Sequence, residues 1–265
     1  MKRNILKFHN VQGLQRRYTI DLMGGLGNWM FQIAFSEYLK TKFNIDFRLC
    51  SYGKPGLWST TDLFDNIFRN WKHLDGDRIT DVQVTEQKLH PLDMGHVMMM
   101  HKDAHITGYF QDYKYITSSF LSKIVLPTTS LERHPEVQYT VFLHIRGGDY
   151  VRHHLLDLNL DSYYERAINI FPKDTQFSVF TNDIEYAKSK PFLNTISYTF
   201  IQESEVDSLY LMSQCKGGIC ANSSFSWWGA YLNPDRQITL PSKWFNDPSF
   251  YKDGYYFKQA TVIQV

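Results

Sequence analysis

The sequence predicts an α/β protein built from two doubly wound parallel-sheet domains with a cleft between them. Three observations predict this. An apolar segment, a glycine turn and a helix-period segment follow one another near the start. Short apolar strands alternate with helices through the second half. A polar, proline-bounded stretch, Pro127–Pro135, reads as a linker between them. The 265 residues suffice for two small domains with a sizeable core. The expected division is an extension over 1–18, a first domain over 19–135 and a second over 136–265.

In chain order, Tyr18–Met23 reads as a buried strand and Gly24-Gly25-Leu26-Gly27-Asn28 as a turn. Trp29–Phe43 then reads as a helix, with Phe31, Ala34, Phe35, Tyr38 and Leu39 on one stripe. The stretch 50–104 reads as loops and short helices, Phe64–Trp71 among them. Ile106–Phe110 reads as a strand and Ser119–Ile124 as a helix. In the second half the expected strands are Tyr139–Ile145, Phe177–Thr181, Ile196–Phe200, Gly218–Ala221 and Gln237–Leu240. Helices over Ser162–Ile170 (capped by Asp161), Ile184–Lys190, Val206–Gln214 and Phe225–Tyr231 fall between them.

Composition narrows the partners. The balance of 28 basic against 27 acidic residues gives a net charge of +1, so no global field attracts nucleic acid or a membrane. An anionic ligand must be held by a local cluster. Three cysteines, Cys50, Cys215 and Cys220, without a C-x-x-C pair argue against a disulfide framework or a zinc site and fit a reducing compartment. No run of 18 apolar residues predicts a transmembrane helix, and the first residues lack the apolar region of a signal peptide. A cytoplasmic location is the expectation. Lys2, Arg3, Lys7, Arg16 and Arg17 suit either a solvated extension or peripheral contact with an anionic membrane face.

Three segments can carry chemistry. Gly24, Gly25 and Gly27 let the backbone approach a ligand, and the helix after Asn28 offers free N–H groups. Their spacing is not G-x-G-x-x-G, so a dinucleotide cofactor is not favoured. His144-Ile145-Arg146-Gly147-Gly148-Asp149-Tyr150 follows a strand directly. An arginine there can hold a phosphate with two parallel hydrogen bonds. Asp149 can orient Arg146, accept a proton or cap the turn. A structural Arg–Asp pair explains the segment equally well. Third, Ala221-Asn222-Ser223-Ser224-Phe225-Ser226-Trp227-Trp228 joins an apolar strand to a helix and suits a pyrophosphate, although any helix start can show such caps. Trp227 and Trp228 read as core before sugar platform. Asn182 and Asp183 follow a strand and suit either nucleotide contact or helix capping. His101 and His105 sit four apart with no third ligand nearby, so no metal is expected there. His153 and His154 read as exposed loop residues.

Taken in order, these segments resemble glycosyltransferase family 11, the bacterial α-1,2-fucosyltransferases. The family opening G-G-L-G-N-Q-M-F-Q-Y-A is matched by Gly24–Ala34, and H-x-R-R-G-D-Y by His144–Tyr150. Gly108–Asp112 resembles G-Y-F-Q-D, Asp207–Cys215 resembles D-x-x-L-M-S-x-C with one residue of offset, and Ala221–Trp228 resembles A-N-S-T-F-S-W-W. Pro241–Phe245 matches a later segment, so the likeness runs from about Ile20 to Phe245. The resemblance implies a GT-B-like fold of two Rossmann-type domains, the first on the acceptor side and the second on the GDP-fucose side. It implies GDP-β-L-fucose as donor, no obligatory metal or cofactor, and inversion at the anomeric carbon. The implied acceptor is a glycan ending in β-galactose, fucosylated at the 2-hydroxyl. By motif position Arg146 holds the β-phosphate, Ser223–Ser226 supply the phosphate-facing cap, and Gly24–Asn28 form the loop opposite. Asp149 or His144 is the candidate base. Two departures stand out: Gly147 replaces the family's second arginine, and Trp29 its glutamine. Arg152 and Lys243 are candidates to restore the missing charge. Without it, a GDP-fucose-binding protein that does not transfer is the alternative, as is a fucosyltransferase of another linkage.

Overall fold

The computed structural model describes residues 17–51, 62–77, 83–86 and 103–265. Most of the 1–18 extension, including Lys2, Arg3, Lys7 and Arg16, lies outside the described residues, as does His101.

Two parallel sheets form, one from each half. The first has the order β2-β1-β4-β3, made of β1 (Arg17–Asp21), β2 (Phe47–Cys50), β3 (Gln83–Thr85) and β4 (Asp103–Thr107). All its pairings are parallel, with Tyr18 opposite Phe47 on one side and Ala104 on the other. The second has the order β10-β9-β8-β5-β6-β7, again parallel throughout. Its strands are β5 (Val141–Ile145), β6 (Gln176–Thr181), β7 (Ser197–Phe200), β8 (Gly217–Ile219), β9 (Gln237–Pro241) and β10 (Thr261–Ile263).

The helices are α1 (Leu26–Phe43), α2 (Ser118–Lys123), α3 (Ser130–Arg133), α4 (Asp161–Ile168), α5 (Ile184–Lys188), α6 (Glu205–Gln214) and α7 (Ser224–Tyr231). None among the described residues is long and apolar enough to cross a membrane.

Strand order dictates where ligands can sit. In the second sheet the chain runs from β5 outward through β6 and β7, then returns to the other side of β5 with β8. In the first it leaves β1 for β2 and returns beside β1 with β4. Loops at such reversals part from one another and leave a crevice at the carboxyl ends of the strands. The loops so placed are Leu22–Gly25 and Gly108–Asp112 in the first half, and the segments after Ile145 and Ile219 in the second.

Helix α1 joins the halves. It begins at Leu26, three residues before the expected start, because the Gly25 carbonyl accepts the N–H groups of Asn28 (3.0 Å) and Trp29 (3.1 Å). It ends where Asn44 turns left-handed (φ 54°) and its N–H reaches the Lys40 carbonyl. The expected stripe is only part of its buried surface. Leu26, Met30, Ile33 and Gln32 are buried too, because α1 packs on its own sheet and on α7. Phe31 lies against Trp227 (4.7 Å between ring centroids) and Trp228 (5.0 Å), both fully buried, so the tryptophan pair is core. Trp29 packs on Phe64 and Phe68, which removes it from any ligand role. One carboxylate on α1, Glu37, is buried, and three partners compensate it: the Lys123 ammonium (2.8 Å), the Trp71 indole N–H (2.8 Å) and the Ser119 hydroxyl (3.2 Å).

Other boundaries move for local reasons. The strand expected over Ile106–Phe110 is Asp103–Thr107, since Phe110 adopts φ +49° and turns the chain. Asp161 does not cap α4; it lies in the first turn, after Leu160, and pairs with Lys190 at 2.9 Å. The stretch Pro127–Pro135 is not an irregular linker. It contains α3, and Arg133 bridges to Glu203 (2.9 Å) and Asp207 (3.4 Å). The edge strand β10 was not expected; three residues are too few to show a period.

The α1–α7 contact tolerates no side chain at Gly27. A Cβ there would lie 2.6 Å from the Phe225 nitrogen and 2.6 Å from the Ser224 carbonyl carbon, both backbone atoms. Gly27→Ala should therefore lower stability by about 1–3 kcal/mol or more, read by urea unfolding. Gly76→Ala, which meets only the flexible Arg48 side chain, should change it little. Equal behaviour of the two variants would refute this packing.

Candidate active site

A cavity of about 1000 Å³ opens where the two strand-order reversals face each other. Its walls bring together Gly24, Gly25, Gly27 and Asn28 from the first half with His144, Arg146 and Asp149 from the second. Asn182, Asp183, Ser223, Ser224 and Phe225 also line it.

Two helices begin at this cavity, and neither has a side-chain cap. Gly25 precedes α1 and Ser223 precedes α7, and among the described residues neither position makes a side-chain cap hydrogen bond. Uncapped N–H groups at a helix start carry partial positive charge and bind anions. The helix starts touch through Gly27. A relay of side chains fixes their spacing. The Tyr255 hydroxyl donates to Gln111 Oε1 (2.7 Å), and Gln111 Nε2 donates to Asn28 Oδ1 (2.8 Å). Ser224 Oγ donates to the same Asn28 oxygen at 2.9 Å.

Arg146 supplies the full charge. Its Nη2 donates to Asp149 Oδ1 at 2.5 Å, and its guanidinium lies 4.9 Å over the Tyr150 ring. Its Nε is buried and has no hydrogen-bond partner among the described residues. Burial raises the Tyr150 phenol pKa above its ordinary value. Of the acidic residues that line the cavity, Glu203 pairs with Arg133 (2.9 Å) and His134 (3.0 Å), and Glu185 with Lys188 (3.0 Å). The end of the cavity around Arg146 is thus suited to an anion.

Asn182 and Asp183 line the cavity while bracing the turn beside Arg146. Asn182 Oδ1 accepts the Gly147 N–H (3.0 Å), and Asp183 accepts from Gly148 N–H (3.2 Å) and from Tyr186 N–H (3.0 Å) at the start of α5. This packing explains the missing second arginine. A Cβ at Gly147 would lie 2.7 Å from the Tyr186 ring and 2.8 Å from Asp183 Cβ. Gly148 has φ +57°, which favours glycine. Neither expected substitute reaches the cavity. Arg152, with φ 64° and its backbone N–H on Asp157 (2.8 Å), is not among the residues lining it, and Lys243 lines a separate cavity beside Tyr251 and Tyr256.

Two expected residues point elsewhere. The Asn222 amide is buried and donates to the carbonyls of Leu156 (3.0 Å) and Trp244 (3.1 Å). Ser226 is fully buried, with its hydroxyl turned back to the Ser223 carbonyl. Conversely, His153 lines the cavity, although it read as an exposed loop residue. Sequence reasoning gave no role to Tyr109, Tyr150 or the start of α6 at Ser204–Glu205, which also face it. A Ser-Glu pair after a strand is a readable helix start; Tyr109 and Tyr150 lie within Gly108–Asp112 and His144–Tyr150, but nothing in those motifs marked the rings as cavity lining. His105 is buried and engages Asp21 (2.8 Å) and Thr19 (2.7 Å) through its ring nitrogens, and, against the expectation of no further ligand nearby, one ring nitrogen, an Asp21 carboxylate oxygen and Cys50 Sγ lie within 4.8 Å of one another.

The fold and this cavity define a GT-B-like protein with a cavity between two Rossmann-type halves. By the family model for glycosyl transferase family 11, which matches residues 98–263, the chain belongs to that family. It is 38% identical over 123 residues to the O-antigen biosynthesis glycosyltransferase WbnK of Escherichia coli, covering 40% of this chain and 39% of that protein. It is 35% identical over 153 residues to an α-1,2-colitosyltransferase of E. coli, covering 52% of each. The matched stretches thus span about half or less of these relatives. The fucosyltransferase NodZ of Bradyrhizobium shares the fold, with a TM-score of 0.51 at 12% identity over 84% of this chain and 94% of that one.

His144 carries a pH consequence. Burial, assisted by the Arg146 charge, lowers its pKa from 6.5 to about 3. The unfolded chain therefore binds a proton that the native state refuses between those values, and stability rises with pH across that window. It is fully present above pH 6.5 and is lost as pH falls towards 3, by several kcal/mol at the lower end (about 1.4 kcal/mol per unit). Urea unfolding at stepped pH should show a shallower decline in His144→Gln than in the wild type. Parallel curves would contradict the burial argument.

Proposed function

We propose that the chain transfers L-fucose from GDP-β-L-fucose to a glycan hydroxyl with inversion at the anomeric carbon, most specifically to the 2-hydroxyl of a terminal β-galactoside. One observation carries this reading: Arg146 and the uncapped starts of α1 and α7 converge on one cavity between the halves. Membership of family 11 and the α-1,2-linkage in the name of the E. coli colitosyltransferase support it.

In the proposed reaction the acceptor oxygen attacks the anomeric carbon from the face opposite GDP. The bond to the β-phosphate oxygen breaks as the new glycosidic bond forms, and the acceptor proton leaves to solvent or a base. Negative charge grows on the departing diphosphate. Arg146 and the main-chain N–H groups at Ser224–Phe225 and at the start of α1 stabilise that charge, so a divalent cation is not required. His144 is a poor base because its pKa is near 3. Asp149, hydrogen-bonded to Arg146, acts first to orient the guanidinium.

Transfer from GDP-fucose, assayed in the presence of a chelator, tests the core of the reading. The wild type should turn over, and Arg146→Ala should lose about 10²–10³-fold in kcat, roughly 2.7–4 kcal/mol of barrier. Arg146→Lys should not restore it, because an ammonium cannot reproduce the planar fork. Near-wild-type turnover by Arg146→Ala would exclude this assignment. Linkage analysis of the product decides the 2-hydroxyl, and a colitosyl donor belongs in the same assay in view of the E. coli relative.

Asp149→Asn separates orientation from proton transfer. Orientation predicts a rate at least about ten-fold lower with the acidic limb of the pH–rate profile unchanged. Loss of that limb would make Asp149 the base. A second reading, GDP-fucose binding without transfer, draws on the closed position at Gly147. Calorimetric GDP binding with neither transfer nor donor hydrolysis would establish it.

A further inference from the structure

We propose that Tyr109 is the platform on which the ring of the acceptor sugar stacks. The inference rests on the fucosyl-transfer reading and names the acceptor side of the same cavity.

Tyr109 combines two properties that rarely coincide. Its side chain is 43% exposed although it lines the cavity, and its backbone is held on every side. The preceding carbonyl, of Gly108, accepts from Gln32 Nε2 (2.9 Å), and buried Gln32 is itself fixed by the Met23 N–H (2.9 Å). The Tyr109 N–H donates to Glu86 Oε2 (2.9 Å), and Lys252 clamps the other Glu86 oxygen. The following residue, Phe110, is buried and stacks on Phe35 at 4.0 Å and 9°. Phe110 also has φ +49°, a left-handed conformation that a bulky residue keeps only where its surroundings over-determine it. Such strain gathers at ligand clamps. A Cβ at Gly108 would strike Glu86 Cβ at 2.5 Å and the Phe110 ring at 2.8 Å, so the segment cannot relax by substitution.

Position assigns the ligand. Tyr109 follows β4 at the strand-order reversal of the first sheet, whereas Arg146 follows β5 at that of the second. With the diphosphate held by Arg146 and the helix starts, the exposed ring on the opposite half faces the acceptor. A pyranose offers C–H groups on one face, which pack on the negative face of an aromatic ring, and a tyrosine presents that ring at little entropic cost.

The probe is lactose, which ends in a β-galactoside. Saturation-transfer NMR in the presence of GDP measures its binding, and calorimetry measures GDP. Fucose transfer to lactose is followed in parallel. Tyr109→Ala should weaken lactose binding and raise the acceptor KM at least ten-fold. Tyr109→Phe should stay within two-fold, and GDP affinity should stay within two-fold in both. Unchanged lactose binding in Tyr109→Ala, no lactose binding by the wild type, or a parallel loss of GDP affinity would each overturn the proposal. Wild-type lactose binding without transfer would instead sink the fucosyl-transfer reading and leave the platform standing.

Discussion

The close approach of α1 and α7 at Gly27 is the constraint on which the site depends. With no side chain at 27, the backbone of one helix start rests against Ser224 and Phe225 of the other. Two sets of uncapped N–H groups, separated by almost two hundred residues of sequence, then face one space. Behind the contact, Phe31 wedges against Trp227 and Trp228, so the apolar core sets the distance between the halves. The polar relay from Tyr255 through Gln111 and Asn28 to Ser224 sets their angle at the rim. Core packing is non-directional, whereas hydrogen bonds are directional, and the site uses both.

Charge is arranged around that contact with few free groups. Arg146 is held by Asp149 and stacked on Tyr150, yet keeps a buried Nε without a partner among the described residues. Two acidic residues that line the cavity, Glu203 and Glu185, pair with Arg133, His134 and Lys188. Gly147 belongs to the same economy of space. Tyr186 and Asp183 fill the volume a second arginine side chain would leave by, so none fits at this position.

The two halves contribute differently. The second presents the cation and the braced turn; the first presents glycines and, through the strained turn at Phe110, an exposed tyrosine ring. Rigid mounting on both sides means that little ordering remains to be done when a ligand arrives, which is where a transfer enzyme gains from positioning.

Local sequence determined the elements whose signal is local. Alternation of short apolar runs and helices fixed the parallel α/β class, and Gly24–Asn28, His144–Tyr150 and Ala221–Trp228 marked three loops that line the cavity, because a glycine turn, a strand-end arginine and a helix start are each written in a few neighbouring residues. Tertiary structure decided which way their side chains point. Asn222 and Ser226 turn inward to distant or backbone partners, and Asp161 pairs with Lys190 instead of capping α4. His153 comes to face the cavity, and Lys243 faces another. The exposure of Tyr109 was equally illegible, since it depends on Gln32, Glu86 and Phe35 meeting around one turn. Backbone preference is a property of near neighbours along the chain. Side-chain direction is settled by contacts between residues far apart in it, and those exist only once the two sheets have packed.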